Sequence, residues 1–293
     1  MGFDGSSIDG LLEGALASGV VHGVAATVVD RDGVLYEHAS GESSADTLYR
    51  NASMTKAVAT TAALQLVEQG RLDLDATVES ICPEFAEIQL LERYDGNTPV
   101  LHAPATKPTA EDRAHLLDIR MRQPDGSLAP TELDFPLEPE WEAGGHGSYG
   151  TIGDYGRFLR AWLRDGELDG TRILGAETVA MALEDHLGGA PLPEITRSAV
   201  PELSNDVPSL PVPQGWGLGF HLYMTDLPGM RSAGSADWAG LFNCYYWLDR
   251  RAGVAAVFMT QILPFFDQRV VETLMGFELA VYAQVGAAVP AMS

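Results

Sequence analysis

Strand-forming segments sit at both ends of this chain, separated by a long helical pattern and a proline-rich stretch. Residues 24–29 and 34–38 flank the turn signal Asp30-Arg-Asp-Gly33, which predicts a β-hairpin. Nearly two hundred residues later, 216–223, 241–248 and 254–260 are rich in β-branched and aromatic side chains and read as strands. Helical spacing brackets the two groups, over 8–16 before the hairpin and 270–284 after the last strand. The implied core is an antiparallel sheet covered by terminal helices, an α/β fold of the α+β type.

Between the two strand groups, good helix formers run over 54–69 and stop at Gly70, which predicts a long, largely buried helix. From 75 to 141 the pattern is mixed and loop-rich, with eight prolines between 83 and 139. An amphipathic helix is predicted over 154–163 and another over 176–184, while the polar, proline-bearing segment 193–213 reads as a surface loop. A chain of 293 residues with 46% hydrophobic content can bury one large core or two closely packed subdomains. The expected division is an α/β subdomain from 1–69 and 144–293 and a shortened helical or loop subdomain from 70–143.

A formal charge of −23 repels nucleic-acid phosphates and anionic lipid surfaces, so neither partner is expected. Cys82 and Cys244, in apolar surroundings, read as two free thiols, with no metal-ligand cluster around them. The first ten residues lack the basic and apolar regions of a signal peptide, and no apolar run reaches the roughly 20 residues of a membrane span. A cytoplasmic protein is expected.

Lys56 and Lys107 are the chain's two lysines, so a lysine at the start of the 54–69 helix stands out. In Ser53-Met-Thr-Lys56 the hydroxyl and the amine lie three residues apart, on one helical face. A serine hydroxyl is a weak nucleophile until a base takes its proton, and a lysine desolvated against apolar walls can serve as that base. The helix start adds unpaired N–H groups that stabilise negative charge developing beside Ser53. Taken alone, the same four residues also describe a helix N-cap followed by a solvated lysine.

The flanks carry a resemblance. Leu48-Tyr-Arg-Asn-Ala-Ser-Met-Thr-Lys-Ala57, followed by Gln65-Leu-Val-Glu-Gln-Gly-Arg-Leu-Asp-Leu-Asp75, is similar to the serine-site block of β-lactamase-related proteins, specifically carboxylesterases resembling class C β-lactamases. The resemblance implies a β-lactamase/transpeptidase-like fold, acylation of Ser53 assisted by Lys56, and no cofactor or metal. Trp238-Ala-Gly240 stands where β-lactamases carry Lys-Thr-Gly on an edge strand and where these esterases carry Trp-x-Gly. By the same resemblance, the amides of Ser53 and Leu241 form the oxyanion hole, and Trp238, Ala239 and Gly240 meet the substrate. Losing the strand lysine, which in β-lactamases holds a drug carboxylate, points to a small uncharged ester or acyl compound as the substrate. Gly144-Gly-His-Gly-Ser-Tyr149, leading into Asp154-Tyr-Gly-Arg-Phe158, resembles the block where family chains return to the α/β subdomain.

One family element is missing from the sequence, a Tyr-x-Asn or Tyr-x-x motif in the helical subdomain whose phenol shuttles the serine proton. Only 88 positions separate Lys56 from Gly144, which implies that much of the helical cap is deleted. Tyr94 precedes Asp95-Gly-Asn97 and reads as part of a hairpin turn, while Tyr149 and His146 are candidates for the missing role. A shortened cap exposes apolar surface that a second copy of the chain could cover. The expected activity is ester hydrolysis through an acyl-enzyme on Ser53; acyl transfer by the same residues, or a scaffold without activity, are the alternatives.

Overall fold

The computed structural model describes residues 2–76, 80, 112–135 and 144–285. The chain opens with α1 (Ser6–Ala17), β1 (Gly23–Asp30), β2 (Val34–Gly41), β3 (Tyr49–Arg50), a 3-10 turn (Ala52–Met54) and α2 (Thr55–Glu68). It continues through β4 (Arg120–Arg122), β5 (Leu128–Pro130), β6 (Tyr149–Gly150), α3 (Ile152–Leu163), β7 (Glu167–Leu168), β8 (Thr171–Arg172) and α4 (Ala176–Ala182). Then come β9 (Ile195–Thr196), β10 (Val207–Pro208), β11 (Gln214–Trp216), β12 (His221–Tyr223), β13 (Ala236–Gly240), β14 (Cys244–Asp249), β15 (Val254–Met259), β16 (Ile262–Leu263) and α5 (Gln268–Val285).

Seven strands form one antiparallel sheet in the order β11-β12-β13-β14-β15-β1-β2, so the N-terminal hairpin completes a sheet begun at the other end of the chain. All six β15 residues are buried, yet they still alternate between two layers. Val254, Ala256 and Phe258 meet Ile8 and Leu12 of α1 and Phe277 and Val281 of α5. Ala255, Val257 and Met259 face Leu64 of α2 and Leu159 and Trp162 of α3. The terminal helices therefore cover one face only; α2 and α3 cover the other and carry the serine segment against it.

Several expectations change in detail. The run 216–223 is a hairpin, β11 and β12, because Gly217 leaves no room for a side chain against Ala182 and Gly219 adopts a left-handed φ of 84°. The run 241–248 begins in a turn, with Asn243 at φ 57°, so Leu241 follows β13 instead of opening a strand. Helix α2 is buried along one side, at Thr55, Ala57, Thr61 and Leu64, while Lys56, Val58 and Ala62 are exposed. Segment 193–213 contains the paired strands β9 and β10. The strand holding Trp238 is third in the sheet; β12 pairs only with Ala236 and Asp237, which leaves 238–240 as a local edge. Within 70–143, β4 joins β16 in parallel and β5 antiparallel.

A buried ionic cluster ties α5 to the sheet. Arg231 donates to Glu278 from Nε at 2.7 Å and from Nη2 at 2.8 Å, and also to Asp237, whose other oxygen pairs with His221 at 2.7 Å. Arg231 is 8% exposed and Glu278 3%, so removing the guanidinium strands two carboxylates out of water. Arg231→Leu is expected to lower unfolding free energy by about 3–5 kcal/mol in a denaturant titration, whereas Arg197→Leu, on an exposed pair, changes it by under about 1 kcal/mol.

Candidate active site

Ser53 sits inside the tight 3-10 turn that hands β3 over to α2. Ala52 immediately before it has φ 45°, a left-handed backbone that a non-glycine residue adopts only when its surroundings hold it. The holding groups come from three directions. Strand β3 pairs with β6, Arg50 opposite Tyr149, and Asn51 N–H donates to the Ser148 carbonyl at 3.1 Å. The Asn51 side-chain amide donates to Ser148 Oγ at 3.1 Å, and the hydroxyls of Ser148 and Thr55 lie 2.8 Å apart. From α3, Tyr155 OH donates to the Met54 carbonyl at 2.9 Å. From β13, Gly240 lies so close that a Cβ there would stand 2.4 Å from the Asn51 carbonyl oxygen.

On this fixed turn, Lys56 Nζ donates to Ser53 Oγ at 2.8 Å and to the Gly145 carbonyl at 3.0 Å. The residue is exposed overall, yet desolvation of its amine lowers the Lys56 pKa from the ordinary lysine range. Among the described residues, no carboxylate contributes to that shift. Among the described residues, no turn or loop bond takes up the Ser53 or Leu241 N–H. The two amides belong to segments brought together by the contact of Gly240 with Asn51.

The remaining expected site residues divide. Trp238 is half-buried and packs edge-on against Trp216, ring centres 4.8 Å apart, in a cleft of about 380 Å³ that also touches Lys56. Gly240 forms the close backbone approach already described, whereas Ala239 packs into the opposite layer with the terminal helices. Leu241 packs with Ala52, Phe135 and Phe242 in a small separate cluster. Tyr149 is held in register with Arg50, and the charges acting on its phenol are Arg50, Asp134 and Arg113; Lys56 is not among them. Burial raises the Tyr149 pKa. Its hydroxyl is buried and has no hydrogen-bond partner among the described residues, while Arg50 Nη2 beside it donates to Asp134 at 2.6 Å. His146 does sense Lys56: desolvation first, then the lysine charge, lowers its pKa, and its ring lies 5.2 Å from that of Phe135. Tyr94 and Cys82 lie outside the described residues.

Sequence reading did not single out Asn51, Thr55, Ser148, Tyr155 or Trp216. Ser148 stood within the glycine-rich block, but its bonds cross 93 and 97 positions and leave no local pattern. Among the described residues, no cluster of histidine, cysteine, aspartate or glutamate is arranged to hold a metal ion, and no helix is long and apolar enough to cross a membrane.

A family model described as Beta-lactamase matches residues 8–97 and 93–277. A lovastatin esterase from Penicillium rubens is 33% identical over 113 residues, which cover 34% of this chain and 28% of that protein. The acyltransferase calJ of Penicillium decumbens is 28% identical over 178 residues, covering 59% of this chain and 41% of that protein. The chain therefore spans less than half the length of these two curated relatives. In structure, a LovD6 mutant of simvastatin synthase LovD from Aspergillus terreus superposes with a TM-score of 0.77 at 20% identity, over 95% of this chain and 94% of that one. With a family match spanning most of its length, the chain belongs to the β-lactamase family.

Proposed function

We propose that the protein is a serine hydrolase that cleaves small uncharged carboxylic esters through an acyl-enzyme on Ser53. The observation that carries this reading is the 2.8 Å contact between Lys56 Nζ and Ser53 Oγ, made by an amine that desolvation pushes toward its neutral form. A neutral amine accepts the hydroxyl proton as Oγ bonds to the ester carbonyl carbon. The carbonyl oxygen takes the negative charge, and the amides of Ser53 and Leu241 stabilise it. Lys56 then returns the proton to the departing alkoxide. In the second half, water attacks the acyl carbon, gives its proton to Lys56 and releases Ser53, which regains a proton from the amine. Trp238 supports an uncharged substrate, since it puts an indole where a cationic side chain would hold a carboxylate.

Acyl transfer to an alcohol uses the same residues with the alcohol in place of water, and the match to an acyltransferase over 59% of the chain favours testing it. Adding a primary alcohol to the assay is expected to divert part of the acyl group to a new ester; hydrolysis product alone, at every alcohol concentration, limits the function to hydrolysis.

Three substitutions test the reading. Ser53→Ala is expected to abolish both p-nitrophenyl acetate turnover and the acyl adduct detected by mass spectrometry on the Ser53 peptide; unchanged turnover rejects Ser53 as nucleophile. Lys56→Met is expected to cost about 10²–10⁴ in kcat/KM, the usual worth of a general base. Because only the neutral amine accepts a proton, wild-type kcat/KM rises with pH and levels off above the Lys56 pKa, at a lower pH than an ordinary lysine gives. Gly240→Val places atoms against the Asn51 carbonyl and forces β13 off the serine turn, so acylation is expected to fall about 10²-fold or more while far-UV circular dichroism stays unchanged.

A further inference from the structure

The cleft beside Lys56 has a direction. Along α2 it touches Lys56, Ala59, Thr60 and Ala63, positions that fall on one helical face and advance seven residues, about 10 Å of helix rise. Its floor is therefore two alanine methyls and a threonine, with side chains too small to fill it. The facing wall is Trp216 and Trp238, set edge to face at 75°.

This wall is fixed at both sides. At the tip of the β11 and β12 hairpin, Gly219 approaches α2 so closely that a Cβ there would lie 2.3 Å from Thr60 Oγ1. On the other side, Leu218 N–H donates to the Ala182 carbonyl of α4 at 2.9 Å. Hairpin and helix are thus held at one spacing, and the gap between them keeps its shape without a ligand. Among the described residues, Lys56 is the one charged residue of the lining, and its amine is bonded to Ser53 and Gly145 at the mouth. Beyond the mouth the described lining is methyl, indole and one hydroxyl, a mainly apolar surface that suits an aliphatic chain.

Which half of the ester lies there follows from proton transfer. The leaving alkoxide and the attacking water both exchange a proton with Lys56 Nζ, so the oxygen that changes partners stays at the mouth, beside the Gly145 carbonyl. The acyl group, which remains bound through both steps, has the groove to occupy. We propose that this groove is an acyl-chain subsite selecting unbranched medium-length aliphatic acyl groups, up to about the 10 Å of an extended octanoyl chain. The assignment rests on the acyl-enzyme reading of Ser53.

The test is a series of p-nitrophenyl esters from acetate to decanoate. For the wild type, kcat/KM is expected to rise about fourfold per added methylene as each is buried, and to stop rising between hexanoate and octanoate. Ala63→Leu and Ala63→Phe place a side chain in the far half of the groove, on a half-exposed helix face where leucine is a good helix former. Both variants are expected to lower kcat/KM for octanoate relative to acetate by about tenfold or more and to move the break in the profile down to butanoate. An active enzyme with a flat profile, or one whose profile Ala63→Phe leaves unmoved, overturns the subsite. So does a parallel series of acetate esters in which length dependence, and its truncation by Ala63→Phe, follow the alcohol. If no ester is turned over and no adduct forms on Ser53, the acyl-enzyme reading fails and the subsite falls with it.

Discussion

A serine and a lysine three residues apart can share a proton only where the backbone between them is held still and their solvent is removed. Here that condition rests on the turn at Ala52–Met54, which carries a left-handed alanine at its entrance. Left to itself such a residue relaxes; it is kept in place because Gly240 of the sheet, Ser148 of the glycine-rich segment and Tyr155 of α3 all bind the backbone around it. Those three come from distant parts of the chain, so Ser53 is held beside Lys56 only once the sheet, α3 and the 144–150 segment have come together. Strain at the turn is borne by the packing of the whole layer.

The same arrangement bears on the proposed role of one lysine, in so acidic a chain, as a base. With a net charge of −23, any solvated lysine would find carboxylates and stay protonated. Lys56 instead has a hydroxyl and a backbone carbonyl as partners, and His146 as the nearby group that feels its charge. Three buried or nearly buried arginines, by contrast, are placed with carboxylates: Arg50 with Asp134, Arg122 with Asp267 and Arg231 with Glu278 and Asp237. Among the described residues, no carboxylate contributes to the lowered pKa of the amine at the serine.

Much of the architecture was legible because it is local. The hairpin at 30–33, the stop at Gly70 and the terminal helices follow from turn chemistry and helical spacing, and Ser53 with Lys56 from a three-residue interval. Two hairpin turns escaped. In 216–223 the aromatic residues outweighed Gly217 and Gly219, whose need for glycine arises from Ala182 and Thr60, contacts that no local pattern contains. In 241–248 the apolar run hid a turn whose sharp residue is Asn243. The supporting shell of the site was illegible for the same reason: Ser148 meets Thr55 across 93 positions. Tyr149 followed a glycine run, and its register opposite Arg50 on β3 is a pairing between distant segments that the sequence does not display.

The central claim, that Lys56 is an amine poised to be neutral beside a fixed serine, can be measured without any substrate. The sequence has two lysines, so protein labelled with ¹³C-lysine gives two Cε resonances, and Lys107→Arg assigns them. Titrating both from neutral to high pH is expected to show Lys56 losing its proton at lower pH than the ordinary lysine value of 10.5. Lys56 titrating at or above that value would mean that the amine stays charged beside Ser53, and would contradict its role as the base.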